Sequence, residues 1–263
     1  MITVNNKNFF IINLSNLTFK RYYLKTLSLN DYKEDYRLLN LPKYLKSVLI
    51  GLLLSDGGLE RFSITSFVRL NVIMSIKNFS YLFHLYNLFE PYINNDIQIL
   101  DINKINDRIR ERKIYTTVRF KTVSLPHFLY YYDLFYKEDK VKNGWIKTIS
   151  DELKNNFDSI ALAHLIMGDG NYLKDRNIIR LYTNSFDKNG VILLSNIIKE
   201  NLQIDNKVIH DRKDQYIIII EKNSLNLTTD LVLPYMHPSM YYKLGLKFES
   251  NKGFDYFKIL NFI

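Results

Sequence analysis

The sequence predicts an α+β fold of two similar halves in tandem, each with the order helix, strand, strand, helix, strand, strand, helix. Two apolar stretches, Leu49–Gly57 and Leu162–Gly170, both end in a small residue followed by Asp and Gly. After each stretch the spacing of apolar residues changes from a helical to a strand-like period, and the same element order follows. A repeat of this length indicates a duplicated domain with pseudo-twofold symmetry and two curved antiparallel sheets.

The first helix is predicted to begin near Pro42, which suits a first helical turn, and to end at Asp56. Apolar residues before Asp56 recur at helical spacing, at Leu45, Val48, Leu49, Leu52 and Leu53. The segment 47–55 carries no charge, so this helix is expected to be buried on most sides. Gly57 and Gly170 are typical of glycines that end a helix in the left-handed conformation.

The remaining elements of the first half follow in order. Polar residues alternate with apolar ones, which predicts a hairpin over 61–76 and a strand over 115–121. The polar face of these strands carries Arg61, Ser63, Thr65, Arg69, Asn71, Thr117, Arg119 and Lys121. Helices are predicted at 78–90 and 124–136, a further strand at 96–102 and a basic loop at 103–113.

The second half repeats this order. Strands are predicted near 171–175, 178–184, 206–212 and 214–221, with a helix over 187–201. Residues 216–220 are apolar in succession, which indicates either that both faces of this strand are covered or that its register differs. We expect an N-terminal arm over 1–40, a first half over 41–136, a linker over 137–156, and a second half with a C-terminal tail over 157–263.

The composition excludes several classes of protein. The chain has no cysteine, which excludes disulfides, cysteine zinc sites and thiol chemistry. Its net charge of +9 favours a polyanionic partner, either nucleic acid or an acidic membrane surface. No apolar run approaches the ~20 residues of a membrane span. No basic amphipathic helix stands out either, so we expect no membrane partner. Heavy use of Asn, Ile, Lys, Tyr and Phe, which have AT-rich codons, suggests an organellar genome.

The two Asp-Gly aspartates are unfavourably placed unless a cation joins them, because a helix C-terminus carries partial negative charge. A solvated helix end explains one such aspartate equally well, but two in the same setting predict a cation site. Parallel packing of the two apolar helices would bring Asp56 and Asp169 together, with Mg²⁺ as the expected cation. His164 does not suit a close contact and is expected at its edge. Small residues that permit the packing are Gly51, Ser55 and Gly168.

The polar strand faces indicate which polyanion binds. A two-stranded β-ribbon fits the major groove of duplex DNA and reads base edges there. A solvated surface explains any single strand, but three strands of the first half share the same basic and polar face. The sequence therefore favours double-stranded DNA as the partner. In the second half, the expected contacts are Arg180 and Tyr182.

Both Asp-Gly stretches resemble the LAGLIDADG signature of the homing endonucleases found in organellar introns. The first agrees with it at the Leu, Gly, Leu, Asp and Gly positions, and the second at Leu, Ala, Leu, Ile, Asp and Gly. The segment 234–244 is similar to the C-terminal signature of the single-chain, omega-intron subgroup. Lys147 lies just before the second motif, where that subgroup carries a lysine-containing run. Leu54 and Met167 stand where the family pattern has its first acid.

The resemblance implies a function. Asp56 and Asp169 would be the catalytic, metal-binding pair, with Lys147 and Lys243 as active-site lysines. The protein would be a monomer whose two sheets form a saddle on a long duplex. It would cut both strands to leave 3′ overhangs, with Mg²⁺ as cofactor and Mn²⁺ as a substitute. An intron-encoded protein of this kind would be expected in the mitochondrion.

Two other functions remain open at this point. The same fold serves as an intron RNA maturase, in which case the host intron RNA would be a partner. A relic of a nuclease, which folds but neither cuts nor assists splicing, is the second alternative. Both candidate aspartates and both candidate lysines are present, which favours the nuclease.

Overall fold

The computed structural model describes residues 41–105, 112–139 and 144–247. The expected N-terminal arm, the end of the C-terminal tail and the middle of the expected basic loop lie outside these residues. Within the described ranges, no helix is long and apolar enough to cross a membrane.

The first half contains three helices and four strands in the predicted order. These are α1 Lys43–Leu53, β1 Gly57–Arg61, β2 Val68–Ser75, α2 Phe79–Leu88, β3 Gln98–Ile105, β4 Arg112–Lys121 and α3 His127–Phe135. Strands β3 and β4 extend from both sides into the segment 103–113, so the prediction of a loop over that whole segment is wrong. Their antiparallel pairing continues to the pair Ile105–Arg112.

A short hairpin separates the halves, with strands β5 Tyr136–Asp139 and β6 Gly144–Lys147. A 3₁₀ helix over Asp151–Asn155 follows it. The second half then repeats the order of the first: α4 Ser159–Asp169, β7 Gly170–Leu173, β8 Ile178–Leu181, α5 Lys188–Leu202, β9 Asn206–Arg212, β10 Gln215–Ile220 and α6 Leu225–Val232. Another 3₁₀ helix, Pro238–Leu244, comes after α6.

Each half forms a four-stranded antiparallel sheet. Sheet 1 has the order β1-β2-β4-β3 and sheet 2 the order β7-β8-β10-β9. The registers correspond as well, since Gly57 pairs with Val72 in sheet 1 and Gly170 pairs with Leu181 in sheet 2. Helix α2 packs against sheet 1 and α5 against sheet 2. The predicted α+β fold with two repeated antiparallel sheets is confirmed.

The left-handed conformation expected for Gly57 and Gly170 is not found. Among the described glycines only Gly245 has a positive φ, and Gly170 has φ −78° and ψ 150°. Both glycines instead begin a strand directly after the Asp of their motif. A Cβ at Gly57 would lie 2.9 Å from the carbonyl oxygen of Leu52, and a Cβ at Gly170 only 2.5 Å from that of Ile166. Close approach to the preceding helix, rather than backbone handedness, therefore requires glycine here.

The prediction that Ser63 and Thr65 lie in a strand is also wrong. Strand β1 ends at Arg61, and the residues up to Phe67 form a loop. The Arg61 guanidinium donates to the carbonyl oxygens of Ile64 and Ser66, which closes the loop into a turn. The alternation of polar and apolar residues therefore does not correspond to burial in this segment: Ile64 is 79% exposed.

Strand β10 carries four successive isoleucines, Ile217–Ile220, and all are at most 5% exposed. It lies between β8 and β9 in sheet 2, so neighbouring strands cover both of its edges. Both of its faces are covered too, as one of the two sequence interpretations required. A strand buried on both faces is expected to be apolar throughout rather than alternating.

Candidate functional site

Helices α1 and α4 pack side by side along their whole length. Near their beginnings, the Ser47 hydroxyl donates to the Asp158 carboxylate at 2.7 Å. One turn on, Gly51 faces His164, and after a further turn Ser55 faces Gly168. Because the contacts advance towards the C-terminus along both helices, α1 and α4 run parallel.

Glycine is required at two points of this contact. A Cβ on Gly51 would lie 2.5 Å from the Cβ of His164, and a Cβ on Gly168 would lie 2.5 Å from the Cβ of Ser55. Both distances are below normal van der Waals separation, so the helices could not stay this close with alanine. The Ser55 hydroxyl donates a hydrogen bond to the Gly51 carbonyl oxygen at 2.9 Å. The three small residues expected at a helix contact therefore all lie there.

The parallel contact brings the two Asp-Gly aspartates to the same end. Asp169 is the last residue of α4, whereas Asp56 lies in the turn between α1 and β1. A Cβ on Gly168 would be 3.4 Å from Oδ2 of Asp56, so this carboxylate lies beside the residue that precedes Asp169. Both aspartates are half-buried.

A lysine from another part of the chain lies near each aspartate. Lys147, the last residue of β6, donates from Nζ to the carbonyl oxygen of Gly57 at 2.8 Å. Lys243, from the 3₁₀ helix after α6, donates from Nζ to the carbonyl oxygen of Gly168 and is 7% exposed. Each lysine is thus held by a backbone carbonyl next to one aspartate.

Burial and mutual repulsion determine the charge of this cluster. Burial, and then the negative charge of Asp56, raise the pKa of Asp169 to about 7, against the opposing effect of the two lysines. The pKa of Asp56 is also raised by burial, and the lysines oppose this shift. Burial lowers the pKa of Lys147 to about 8 and lowers that of Lys243 in the same direction, against the attraction of the aspartates. Two carboxyl groups that disfavour each other's ionisation and two partly buried ammonium groups therefore meet in a site from which water is partly excluded.

His164 lies inside the helix contact, and its expected place at the edge is wrong. It is completely buried, and its Nδ1 is 2.7 Å from the Tyr81 hydroxyl of α2. Burial, and then the nearby His84, lower its pKa to about 3, so His164 is neutral at physiological pH. The missing side chain of Gly51 provides the space that the imidazole needs in the contact.

The polar face of sheet 1 is organised around a residue that the sequence interpretation did not select. Glu60 on β1 accepts a hydrogen bond from Arg69 at 2.8 Å, from Asn71 at 2.8 Å and from Lys121 at 2.9 Å. We refer to these four residues as the Glu60 network. Glu60 is directly opposite Arg69 in the β1–β2 register, so the signal was present in the hairpin pairing.

The other predicted contact residues of sheet 1 also bond within the protein. Arg119 donates to Oε1 of Gln98, with a shortest distance of 2.6 Å, and the Thr117 hydroxyl donates to the Leu100 carbonyl oxygen at 3.2 Å. Ser63 and Thr65 hydrogen-bond to one another through their hydroxyls, 3.2 Å apart, within the loop after β1. The predicted polar face therefore exists at β2 and β4 but not in this loop.

In sheet 2, the predicted contact residues Arg180 and Tyr182 have surroundings different from those of the polar face of sheet 1. Arg180 on β8 is opposite Ile219 in the register, and its Nε has no hydrogen-bond partner among the described residues. Tyr182 lies one residue beyond β8, where its backbone N–H donates to the carbonyl oxygen of Asp169 at 2.9 Å. This hydrogen bond holds the backbone of Tyr182 beside the C-terminal end of α4.

The residues at the ends of α1 and α4 fit a hard divalent cation. Asp56 and Asp169 supply carboxylate oxygens. Burial raises the pKa of both, and a bound cation would favour their ionised forms. No cluster of three or more His, Cys, Asp or Glu side chains suited to a metal occurs among the described residues. Mg²⁺ characteristically uses one or two protein carboxylates and takes its other oxygens from water and phosphate. Two carboxylates are sufficient for such a site.

Comparison with known proteins agrees with this geometry. The profile of the LAGLIDADG DNA endonuclease family matches residues 46–227. The chain is 34% identical over 169 residues to the intron-encoded endonuclease ai4 of Dictyostelium discoideum, which covers 62% of this chain and 99% of that protein. It is 29% identical over 245 residues to the cytochrome b mRNA maturase bI2 of Saccharomyces cerevisiae, covering 91% of this chain but 53% of the maturase.

A solved structure shares the fold. The homing endonuclease I-WcaI, bound to its DNA recognition sequence, superposes with a TM-score of 0.68 and 25% sequence identity, covering 83% of this chain and 93% of that one. The family profile spans both Asp-Gly motifs, both sheets and the hairpin between the halves. The chain belongs to the LAGLIDADG DNA endonuclease family, as its two motifs predict.

Proposed function

We propose that this protein is a homing endonuclease that makes a staggered, divalent-metal-dependent double-strand break in a long duplex DNA site. The observation that carries the proposal is the meeting of Asp56 and Asp169 at the ends of two parallel helices, with a lysine beside each. Carboxylate pairs of this kind, next to positive charge, suit phosphodiester hydrolysis.

In this proposal Asp56 and Asp169 hold Mg²⁺, for which Mn²⁺ substitutes. The bound cation would supply charge neutralisation at the scissile phosphates and a more acidic water. Lys147 and Lys243 are placed to stabilise the negative charge that develops on the phosphate, because their ammonium groups are buried next to the aspartates. Water is the nucleophile, so no covalent intermediate with the protein forms.

The duplex would lie across the polar faces of both sheets. I-WcaI, whose structure contains its DNA recognition sequence, has a similar fold over most of this chain. The first half, 41–136, would contact one side of the target, and the second half, 157–263, the other. Because the halves differ in sequence, a monomer would recognise an asymmetric site. The proposed contacts are Arg61, Ser63, Thr65, Arg69, Asn71, Thr117, Arg119, Lys121, Arg180 and Tyr182.

A second function is supported by one of the relatives. The similarity to the cytochrome b mRNA maturase bI2 extends over 91% of this chain, so the chain would also bind its host intron RNA. A splicing assay with Asp56→Asn and Asp169→Asn combined separates the roles, since an RNA function would survive loss of the carboxylates. Similarity to intron-encoded endonucleases and to a cytochrome b mRNA maturase supports a mitochondrial location. The heavy use of residues with AT-rich codons supports the same location.

The proposal is tested by selecting cleaved duplexes from a tiled organellar DNA library in Mg²⁺ and sequencing both ends. We expect one long target whose ends carry 3′ overhangs, and no cleavage in EDTA. Blunt or 5′-extended ends would reject the proposed stagger, and equal cleavage in EDTA would reject metal dependence. If no duplex is cleaved but the protein promotes splicing of its host intron in the splicing assay, the maturase function would be assigned instead.

A further inference from the structure

The Glu60 carboxylate lies on the edge strand β1 of sheet 1, within the proposed DNA surface. Both of its oxygens lie 2.9 Å from Nζ of Lys121, and Oε2 is 2.8 Å from Arg69. All three side chains are about one-quarter to one-third exposed, so the network is at the surface but partly shielded from water. Burial alone would raise the pKa of Glu60, but hydrogen bonds from Lys121 and Arg69 lower it overall, and the group stays ionised.

The fold does not require an acid at this position. The registers of the two sheets correspond, so each member of the Glu60 network has an equivalent position in sheet 2. Sheet 2 forms the same four strands without an acid there and without an ion pair between those positions. The equivalent residues are Leu173, Ile178, Arg180 and Ile219.

A carboxylate on a surface that contacts DNA phosphates weakens the electrostatic part of DNA binding. Its negative charge repels every phosphate equally, whatever the base sequence. It also occupies the cationic groups of Arg69 and Lys121, which must leave Glu60 before they reach a DNA phosphate. Contacts with the correct base edges compensate for this exchange, whereas phosphate contacts on random DNA do so less well.

We propose that Glu60 is a specificity-determining residue, which holds Arg69 and Lys121 within the protein on random DNA and so restricts tight binding to the target sequence. This inference rests on the proposed DNA function. It assigns to sheet 1 a carboxylate that weakens non-specific binding, whereas the equivalent position of sheet 2 carries Leu173. The two halves of the target are therefore discriminated by different chemistry.

The variant Glu60→Gln tests the proposal, because it removes the charge while keeping the size of the side chain. It also replaces one of the two acceptor oxygens with an N–H₂ donor, which cannot accept from Arg69 or Lys121. With the charge gone, Arg69 and Lys121 become available to phosphates. We expect Glu60→Gln to bind random-sequence duplex about three- to tenfold more tightly, and the slope of log Kd against log salt to steepen by about 1–2. Preference for the selected target over random duplex should fall by a similar factor.

The matched control is Glu200→Gln. Glu200 is an exposed acid on α5, outside both sheets, and it pairs with Lys154 of the 3₁₀ helix Asp151–Asn155. This variant makes the same change in net charge and should leave binding to random duplex and the salt slope within twofold of the wild type. Fluorescence anisotropy in EDTA measures binding of both variants and of the wild-type protein without cleavage. Glu60→Asp keeps the charge, so its binding should stay close to the wild type.

Two results would overturn the inference. One is binding of random duplex by a folded Glu60→Gln protein no tighter than by the wild type. The other is an equal gain in Glu60→Asp and Glu60→Gln, which would indicate altered packing rather than altered charge. If the wild-type protein binds neither random duplex nor the selected target, the proposed DNA function itself fails, which is a different outcome from unchanged specificity.

Discussion

Ser55 packs directly on Gly168, where an added Cβ would lie only 2.5 Å from the serine Cβ. This contact fixes the separation of α1 and α4 one residue before each Asp-Gly aspartate. The position of Asp56 relative to Asp169 therefore depends on backbone approach rather than on a direct bond between the two carboxylates.

Gly168→Ala should destabilise the protein despite the better helix propensity of alanine. The methyl group has to push Ser55 and the Asp56 carboxylate aside, and overpacking of this kind costs about 1–3 kcal/mol. Chemical denaturation measures the change, and cleavage should fall by more than the fraction unfolded. Gly58→Ala is the control, since its nearest neighbour, the Tyr136 hydroxyl, would be 3.7 Å from the new Cβ. A stability change equal to that of the control would contradict the close contact.

Asp169→Asn should stabilise the metal-free protein above neutral pH. The pKa of Asp169 is raised to about 7 from the ordinary 3.8, so the fold loses stability as the pH rises between these values. The amide removes that cost, and we expect a gain of up to about 4 kcal/mol near pH 8 and almost none near pH 4. Thermal melts at both pH values measure it. The exposed Asp175→Asn should show no such pH-dependent gain, and the same gain in both variants would contradict burial as the cause.

Lys147→Met should reduce cleavage by about 10²–10³-fold, because a buried positive charge next to the reacting phosphate is lost. Duplex binding in EDTA should change by less than twofold. Single-turnover cleavage at saturating enzyme separates the chemical step from binding. The matched variant Lys154→Met removes an exposed lysine paired with Glu200 and should cut normally. Normal cutting by Lys147→Met would show that this lysine has no part in the chemistry.

Tyr81→Phe should lower stability by about 1–2 kcal/mol, because Nδ1 of the fully buried His164 loses its partner. Denaturant melts measure this change. Tyr130→Phe serves as the comparison, since its hydroxyl accepts a hydrogen bond from Asn156 at an exposed site. A cost in Tyr81→Phe no larger than in Tyr130→Phe would show that the buried histidine does not depend on this bond.

The repeated element order could be predicted because helical and strand-like periods are local properties of the chain. The same locality explains two errors. Polar alternation in the loop after β1 resembled a strand, but the Arg61 guanidinium closes the segment into a turn. His164 was expected at the edge of the helix contact because it is not one of the small residues that suit a close approach. The space it occupies comes from Gly51 on the other helix.

The site could be predicted only in part. The motif positions place Asp56 and Asp169 on equivalent helix ends, and parallel packing of those helices is sufficient to bring them together. Lys147 and Lys243 come from a hairpin and a 3₁₀ helix, and no periodicity connects these elements to the motifs; they could be identified only through the family resemblance. Glu60 was overlooked because its partners lie on two other strands, and cross-strand pairing depends on register.

The central claim is that Asp56 and Asp169 form one nuclease centre. Its most direct test is cleavage of the selected target in Mg²⁺ by Asp56→Asn and Asp169→Asn, with binding to the same duplex measured in parallel. We predict that each variant loses double-strand cleavage and binds the duplex with an affinity close to that of the wild-type protein. Full double-strand cleavage by either variant would contradict the assignment.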